Sequence, residues 1–293
     1  MVAQAAAHGA AGGARPMTAA SGVTTGSDDL VVTRRQVSFR GGTLTVVEAG
    51  SGPRIGYLHG MIGLPAHGLV PLMAELARDH TVVAPALPGF TGSSYCDDLR
   101  VQSDWVVALS EVMDLAGLTG APVVASSVGA MLALELAAVR PEAFARLVLL
   151  APLGLWDAAD PVADAFATTL SEQRTILSPN RASTANVFEE DRSVSDPAEQ
   201  IELGVSRYLA RTSAASLVWP IPEHGLDTRI HLVRCPTTLV WGTADRLVPV
   251  SYADRFAGLL PVVAGVRRLD GVGHLPDWDA PTEVAAVVRT ALA

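Results

Sequence analysis

The stretch that decides the fold is Val123-Val124-Ala125-Ser126-Ser127-Val128-Gly129-Ala130. A short β-branched run feeds directly into a serine flanked by small residues, and a small-residue helix follows. That order predicts a strand-to-helix reversal that forces one side chain into a sharp turn. The chain swings from an extended to a helical path around the serine, so the residues two before and two after it must be small. Ala125 and Gly129 satisfy the frame centred on Ser127. Centring the frame on Ser126 would put Val124 and Val128 in the crowded positions. Ser127 is therefore the candidate nucleophile, although Ala125 stands where the common G-x-S-x-G pattern has its first glycine.

Three other stretches extend the pattern. Upstream, Tyr57-Leu58-His59-Gly60-Met61-Ile62-Gly63 follows an apolar strand. Downstream, Leu239-Val240-Trp241-Gly242-Thr243-Ala244-Asp245 ends another strand in an acid, and Leu269-Asp270-Gly271-Val272-Gly273-His274 ends a strand in a glycine turn that carries a histidine. The chain order Ser, Asp, His resembles that of the α/β-hydrolase superfamily from about Arg35 to the C-terminus, with its cap-bearing serine esterase and C–C hydrolase branch the most similar.

The pattern of elements is regular from Val31. Strands are predicted over Val31–Phe39, Thr43–Glu48, Arg54–Leu58, Thr81–Pro85, Pro122–Ser126, Arg146–Leu150, Thr237–Trp241 and Val263–Leu269, with a Gly41-Gly42 hairpin turn joining the first two. Helices are predicted over Leu69–Arg78, Ser103–Ala116 with Ser103 as cap, Val128–Val139, Ser251–Leu259 and Pro281–Leu292. Strands alternating with helices imply an α/β fold: a mostly parallel eight-stranded sheet with helices on both faces. The interval 152–234 breaks the alternation, with helical patterns at Val162–Leu177 and Pro197–Arg211. A structureless insertion of that length is improbable, so it reads as a helical cap over the sheet's C-terminal edge, where ligands of open α/β sheets bind. Residues 31–151 and 235–293 then form the core, and 1–30 an Ala/Gly/Ser/Thr-rich disordered tail within which Met17 is an alternative start.

Composition narrows the function. A chain of 293 residues with 49% hydrophobic content can bury a large core. A net charge of -9 without a basic stripe speaks against a nucleic-acid partner. All 21 basic residues are arginine, which fits codon bias in a GC-rich genome. No apolar run is long enough to span a bilayer, and the N-terminal segment lacks the layout of a secretory signal, so a cytoplasmic location is expected. Cys96 and Cys235 suggest no disulfide framework. His67, His80, His224 and His231 show no metal-ligand spacing, and no phosphate-binding or dinucleotide loop is present, so neither metal nor cofactor is expected. A small-molecule substrate is expected, and self-association is left open.

The chemistry follows from residue types. A serine hydroxyl needs a base, and His274 in its Gly-x-Gly turn can supply one. Asp245 would hold the imidazole, with Asp157 and Asp160 as alternatives after the preceding strand. The resemblance implies an oxyanion hole from the N–H groups of Val128, at the helix start, and Met61, with His59 and Gly60 supporting that loop. The cap supplies Leu155, Trp156, Phe166, Phe188, Tyr208, Trp219 and Ile221, and Trp156, Phe166 and Trp219, with Leu275, are candidate pocket residues. Ser127 in place of a carboxylate favours acyl chemistry over dehalogenation or epoxide opening. Ester hydrolysis is the first reading. C–C hydrolysis of a vinylogous diketone acid, thioester or lactone cleavage, and a non-catalytic ligand-binding role stay open. The C–C branch carries Asn before its serine and Trp after its histidine, where this chain has Ser126 and Leu275.

Overall fold

Strands β2 (Val32–Phe39) and β3 (Gly42–Ala49) open the regular part of the chain as an antiparallel hairpin. The computed structural model describes residues 21–22, 30–180, 182–183, 195–219 and 224–293. Most of the expected tail, together with Phe188 and Ile221, lies outside the described residues. Within that tail, β1 (Ser21–Gly22) pairs antiparallel with Thr33 and Arg34. The hairpin turn is Arg40-Gly41, one residue earlier than expected, because Phe39 pairs with Gly42. Arg40 and Gly41 have φ of 44° and 80°, the mirror-image turn that matches strand twist. Arg40 holds this conformation with ion pairs to Asp98 at 3.0 Å and Glu111 at 2.7 Å. Gly42 is needed elsewhere, since a Cβ there would run into the Ser94 side chain.

Next come β4 (Arg54–Leu58), α1 (Pro71–Leu76), β5 (Thr81–Pro85), α2 (Gln102–Ala116), β6 (Ala121–Ser126), α3 (Ser127–Val139) and β7 (Phe144–Leu150). Helix α1 is shorter than its apolar pattern because Pro71 sets its first turn. Helix α2 is capped not by Ser103 but by Asp104, whose carboxylate accepts the N–H groups of Arg100 and Val101, both at 3.0 Å. Beyond the inserted segment follow β8 (Thr237–Gly242), α6 (Tyr252–Leu259), β9 (Val263–Leu269), the short α7 (Pro276–Asp279), which periodicity did not suggest, and α8 (Pro281–Leu292). The inserted segment contributes α4 (Leu170–Leu177) and α5 (Pro197–Val218).

The sheet order is β1-β2-β3-β5-β4-β6-β7-β8-β9, parallel from β5 onward. Helices α1 and α8 pack together, as do α2 and α3, covering the sheet's two faces. Strands β6, β7 and β8 are almost wholly buried, as their unbroken apolar runs require. The chain goes from β4 to β5 on one side and to β6 on the other, so the strand order reverses between β4 and β6. That crevice is where the serine turn emerges.

The expected helix over 162–177 is helical only from Leu170. Thr169 and Glu172 form a reciprocal capping box there, Thr169 N–H donating to the Glu172 carboxylate at 2.9 Å. Upstream, Asp164 Oδ1 accepts the N–H groups of Phe166 and Ala167 at 2.8 and 3.0 Å, which favours a turn over a helix. Helix α5 starts at its Asp196 cap and runs 22 residues, well past the expected end at Arg211.

Glu135 is the one acid inside the apolar α3, and it is 3% exposed. Arg229 donates to both its oxygens, at 2.8 and 2.7 Å, and to the His224 carbonyl at 2.7 Å, pinning the end of the inserted segment to α3. Arg229→Ala leaves that carboxylate buried and unpaired, so it should destabilise the fold by about 2–4 kcal/mol in urea unfolding. A loss below about 1 kcal/mol would mean water already solvates Glu135.

Candidate active site

Ser127 begins α3 with φ of 53°, a left-handed conformation unfavourable for a residue with a Cβ. The turn is enforced by close backbone approach. A Cβ on Gly129 would lie 2.5 Å from the His59 carbonyl oxygen and 2.9 Å from that of Leu58. A Cβ on Gly60 would lie 3.1 Å from the Ser127 Cβ. The start of α3 therefore butts against the end of β4, and the turn after β4 passes directly over the serine.

Ser127 Oγ and His274 Nε2 are 2.8 Å apart, and His274 Nδ1 lies 2.9 Å from Asp245 Oδ2. Asp245 Oδ1 accepts the N–H groups of Leu247 and Val248 at 2.8 and 2.9 Å, which leaves Oδ2 for the ring. The carboxylate thus selects the tautomer with the proton on Nδ1, so Nε2 presents a lone pair to the serine hydroxyl. The His274 loop is held from the inserted segment: its main-chain N–H donates to the Leu177 carbonyl at 2.8 Å. Ser127 and His274 are fully shielded from solvent, and Asp245 is nearly so. The alternative acids are engaged elsewhere. Asp157 pairs with Arg255 at 2.7 Å, and Asp160 accepts the Ser251 hydroxyl at 2.6 Å.

His59 has a different job. Its Nε2 accepts the Leu87 N–H at 2.9 Å, so Nδ1 carries the proton and donates to the Gly60 carbonyl at 2.8 Å. With both nitrogens used on backbone, it staples the β4 turn to the β5 loop and has no free lone pair for a substrate. Met61 sits in that turn, closed by Gly63 N–H donating to the Gly60 carbonyl at 3.1 Å. Val128 is the second residue of α3, where an N–H has no carbonyl one helical turn back.

A small cavity is lined by Met61, Met131, Leu153, Val162, Phe166 and Leu247, among others. Of the four pocket residues expected from sequence, only Phe166 lines it. Leu275 is buried ahead of α7, Trp156 packs against the core, and Trp219 is 52% exposed at the end of α5. Tyr208, another of the apolar residues of the inserted segment, is 71% exposed. Most of the lining comes from the inserted segment, and Met61 after β4 and Leu153 after β7 add residues just past strand ends. Their signal was position, not aromatic character. Among the described residues no group of three or more His, Cys, Asp or Glu is placed to hold a metal, and no helix is long and apolar enough to cross a membrane.

A sheet with its strand order reversing at a strained serine defines the class. A model of the alpha/beta hydrolase family matches residues 57–287, and the chain belongs to that family. Lipase LipV of Mycobacterium tuberculosis is 30% identical over 256 residues, covering 83% of this chain and 94% of that protein. A 2-hydroxymuconate semialdehyde hydrolase of Pseudomonas putida is 28% identical over 233 residues, covering 74% and 78%. Among solved structures, the 2-hydroxy-6-oxo-6-phenylhexa-2,4-dienoate hydrolase of Rhodococcus sp. strain RHA1 shares the fold with a TM-score of 0.67 at 21% identity, covering 90% of this chain and 99% of that one.

Burial pushes the His59 pKa down from 6.5 to about 4, with the Gly60 carbonyl opposing that shift. A histidine held neutral stabilises the fold above its unfolded pKa, and that stability is lost as pH falls toward the folded value. Between about pH 7 and pH 4.5 the stability advantage of wild type over His59→Gln should shrink by roughly 2 kcal/mol in urea titrations. A gap independent of pH would show that His59 does not carry this linkage.

Proposed function

We propose that the protein is a serine hydrolase that cleaves carboxylic esters of largely apolar small molecules through an acyl-enzyme. The observation that carries the reading is the buried, hydrogen-bonded line Asp245–His274–Ser127 at 2.9 and 2.8 Å. Ser127 Oγ bonds to the ester carbonyl carbon as His274 Nε2 takes its proton. The resulting oxyanion accepts from the N–H groups of Met61 and Val128, with the α3 dipole favouring the charge. Collapse breaks the C–O bond, and the imidazolium returns the proton to the departing alkoxide. Water then repeats the sequence and releases the acid. Asp245 keeps the imidazole oriented and stabilises its cationic form.

Residues 152–234 act as a helical cap over this site. The apolar cavity beneath it favours an apolar acyl or alcohol group. As it stands the cavity is about 20 Å³, room for little more than a water molecule. Substrate access therefore requires the covering side chains, Val162 and Phe166 foremost, to move aside.

The likeness to the semialdehyde hydrolase motivates a second reading, C–C cleavage, which Ser126 and Leu275 disfavour. Fluorophosphonate should label the wild type and not Ser127→Ala. His274→Ala and Asp245→Asn should each lower turnover of p-nitrophenyl butyrate by roughly 10²–10⁴-fold while folding is retained. Asp157→Asn should leave it unchanged. Turnover confined to a vinylogous diketone acid would replace the esterase reading with the C–C one, and the absence of Ser127-dependent labelling would overturn both.

A further inference from the structure

Asp277 is a buried carboxylate that the chemistry above does not use. It is 2% exposed. Its Oδ2 accepts the phenol of Tyr57 at 2.5 Å, and Tyr57 is itself 1% exposed. Ser126, wholly buried, lies beside the same carboxylate, where it opposes the rise in pKa that burial causes. Yet neither Ser126 Oγ nor Asp277 Oδ1 completes a hydrogen bond of normal geometry. Buried polar atoms left in this state require an explanation. Burial raises the pKa values of Asp277 and Tyr57, so the cluster opposes its own ionisation. A leucine against a phenylalanine would fill the same space without that cost.

The places where the three side chains attach supply the explanation. Tyr57 lies on β4 two residues before His59, at the root of the turn that carries Met61. Ser126 immediately precedes Ser127. Asp277 follows His274 by three residues, in the first turn of α7. A single carboxylate therefore meets the roots of the segments bearing the oxyanion donor, the nucleophile and the base. These segments belong to different parts of the chain: the Tyr57–Asp277 bond spans 220 residues. Turnover in such a site depends on alignment to a fraction of an ångström.

We propose that Asp277 is a positioning residue: through Tyr57 and Ser126 it sets the spacing between the donor turn, the nucleophile and the base. This rests on the serine-hydrolase reading. Asp277 acts through its neighbours and touches no reacting atom.

The test compares Tyr57→Phe, Asp277→Leu and Asp277→Asn for p-nitrophenyl butyrate turnover per fluorophosphonate-titrated site, alongside thermal unfolding. Tyr57→Phe and Asp277→Leu should lower kcat by roughly 10–100-fold with KM changed less than about threefold. Asp277→Asn keeps an acceptor for Tyr57 and should recover most of the loss. Should Asp277→Leu fail to fold, Tyr57→Phe, which removes one oxygen and keeps the ring, carries the comparison. Variants that melt earlier but turn over normally per site overturn the positioning role. So does Asp277→Asn as impaired as the leucine variant, which would make charge the cause. Normal wild-type labelling with unchanged variants sinks this inference alone, whereas a wild type that does not label sinks the hydrolase reading with it.

Discussion

The architecture depends on one steric constraint: the ends of β4 and β6 must approach closely enough for a strained serine to sit between them. Gly129 admits the Leu58 and His59 carbonyls against α3, and Gly60 admits the passing turn against Ser127. Backbone strain at φ of 53° is held by the packing on both sides, since α3 is buried along nearly its whole length. Reversal of strand order between β4 and β6 opens the crevice, and the constraint aims the hydroxyl into it.

Electrostatics then assigns roles to chemically similar groups. His59 and His274 are both wholly buried. The first is consumed by two backbone partners, the second is oriented by a carboxylate and faces a hydroxyl. Asp245 and Asp277 divide in a parallel way. Two backbone N–H groups satisfy one oxygen of Asp245 and free the other for the ring, whereas Asp277 is engaged by a phenol. In each pair, residue type is the same and the neighbours decide the chemistry.

The inserted segment is bonded to the loop that carries His274. The Leu177 carbonyl holds the His274 backbone, and the Ser178 and Ser183 hydroxyls donate to Asp279, which also accepts the Gly273 N–H. The Glu135–Arg229 pair anchors the segment's far end.

The linear chain by itself determined the strand and helix order, the frame that singles out Ser127, and the Ser-Asp-His succession, because these are written in short-range size, periodicity and glycine placement. Local signals also misled. The hairpin turn lies one residue earlier than expected because Phe39 pairs with Gly42, and half of an amphipathic pattern before Leu170 became a turn around Asp164. Tertiary structure alone decided which apolar residues line the cavity, why Trp219 is exposed, and that Tyr57, Ser126 and Asp277 meet. Contacts between residues 220 positions apart leave no local trace, since they arise only when the sheet register brings distant strand ends to one edge.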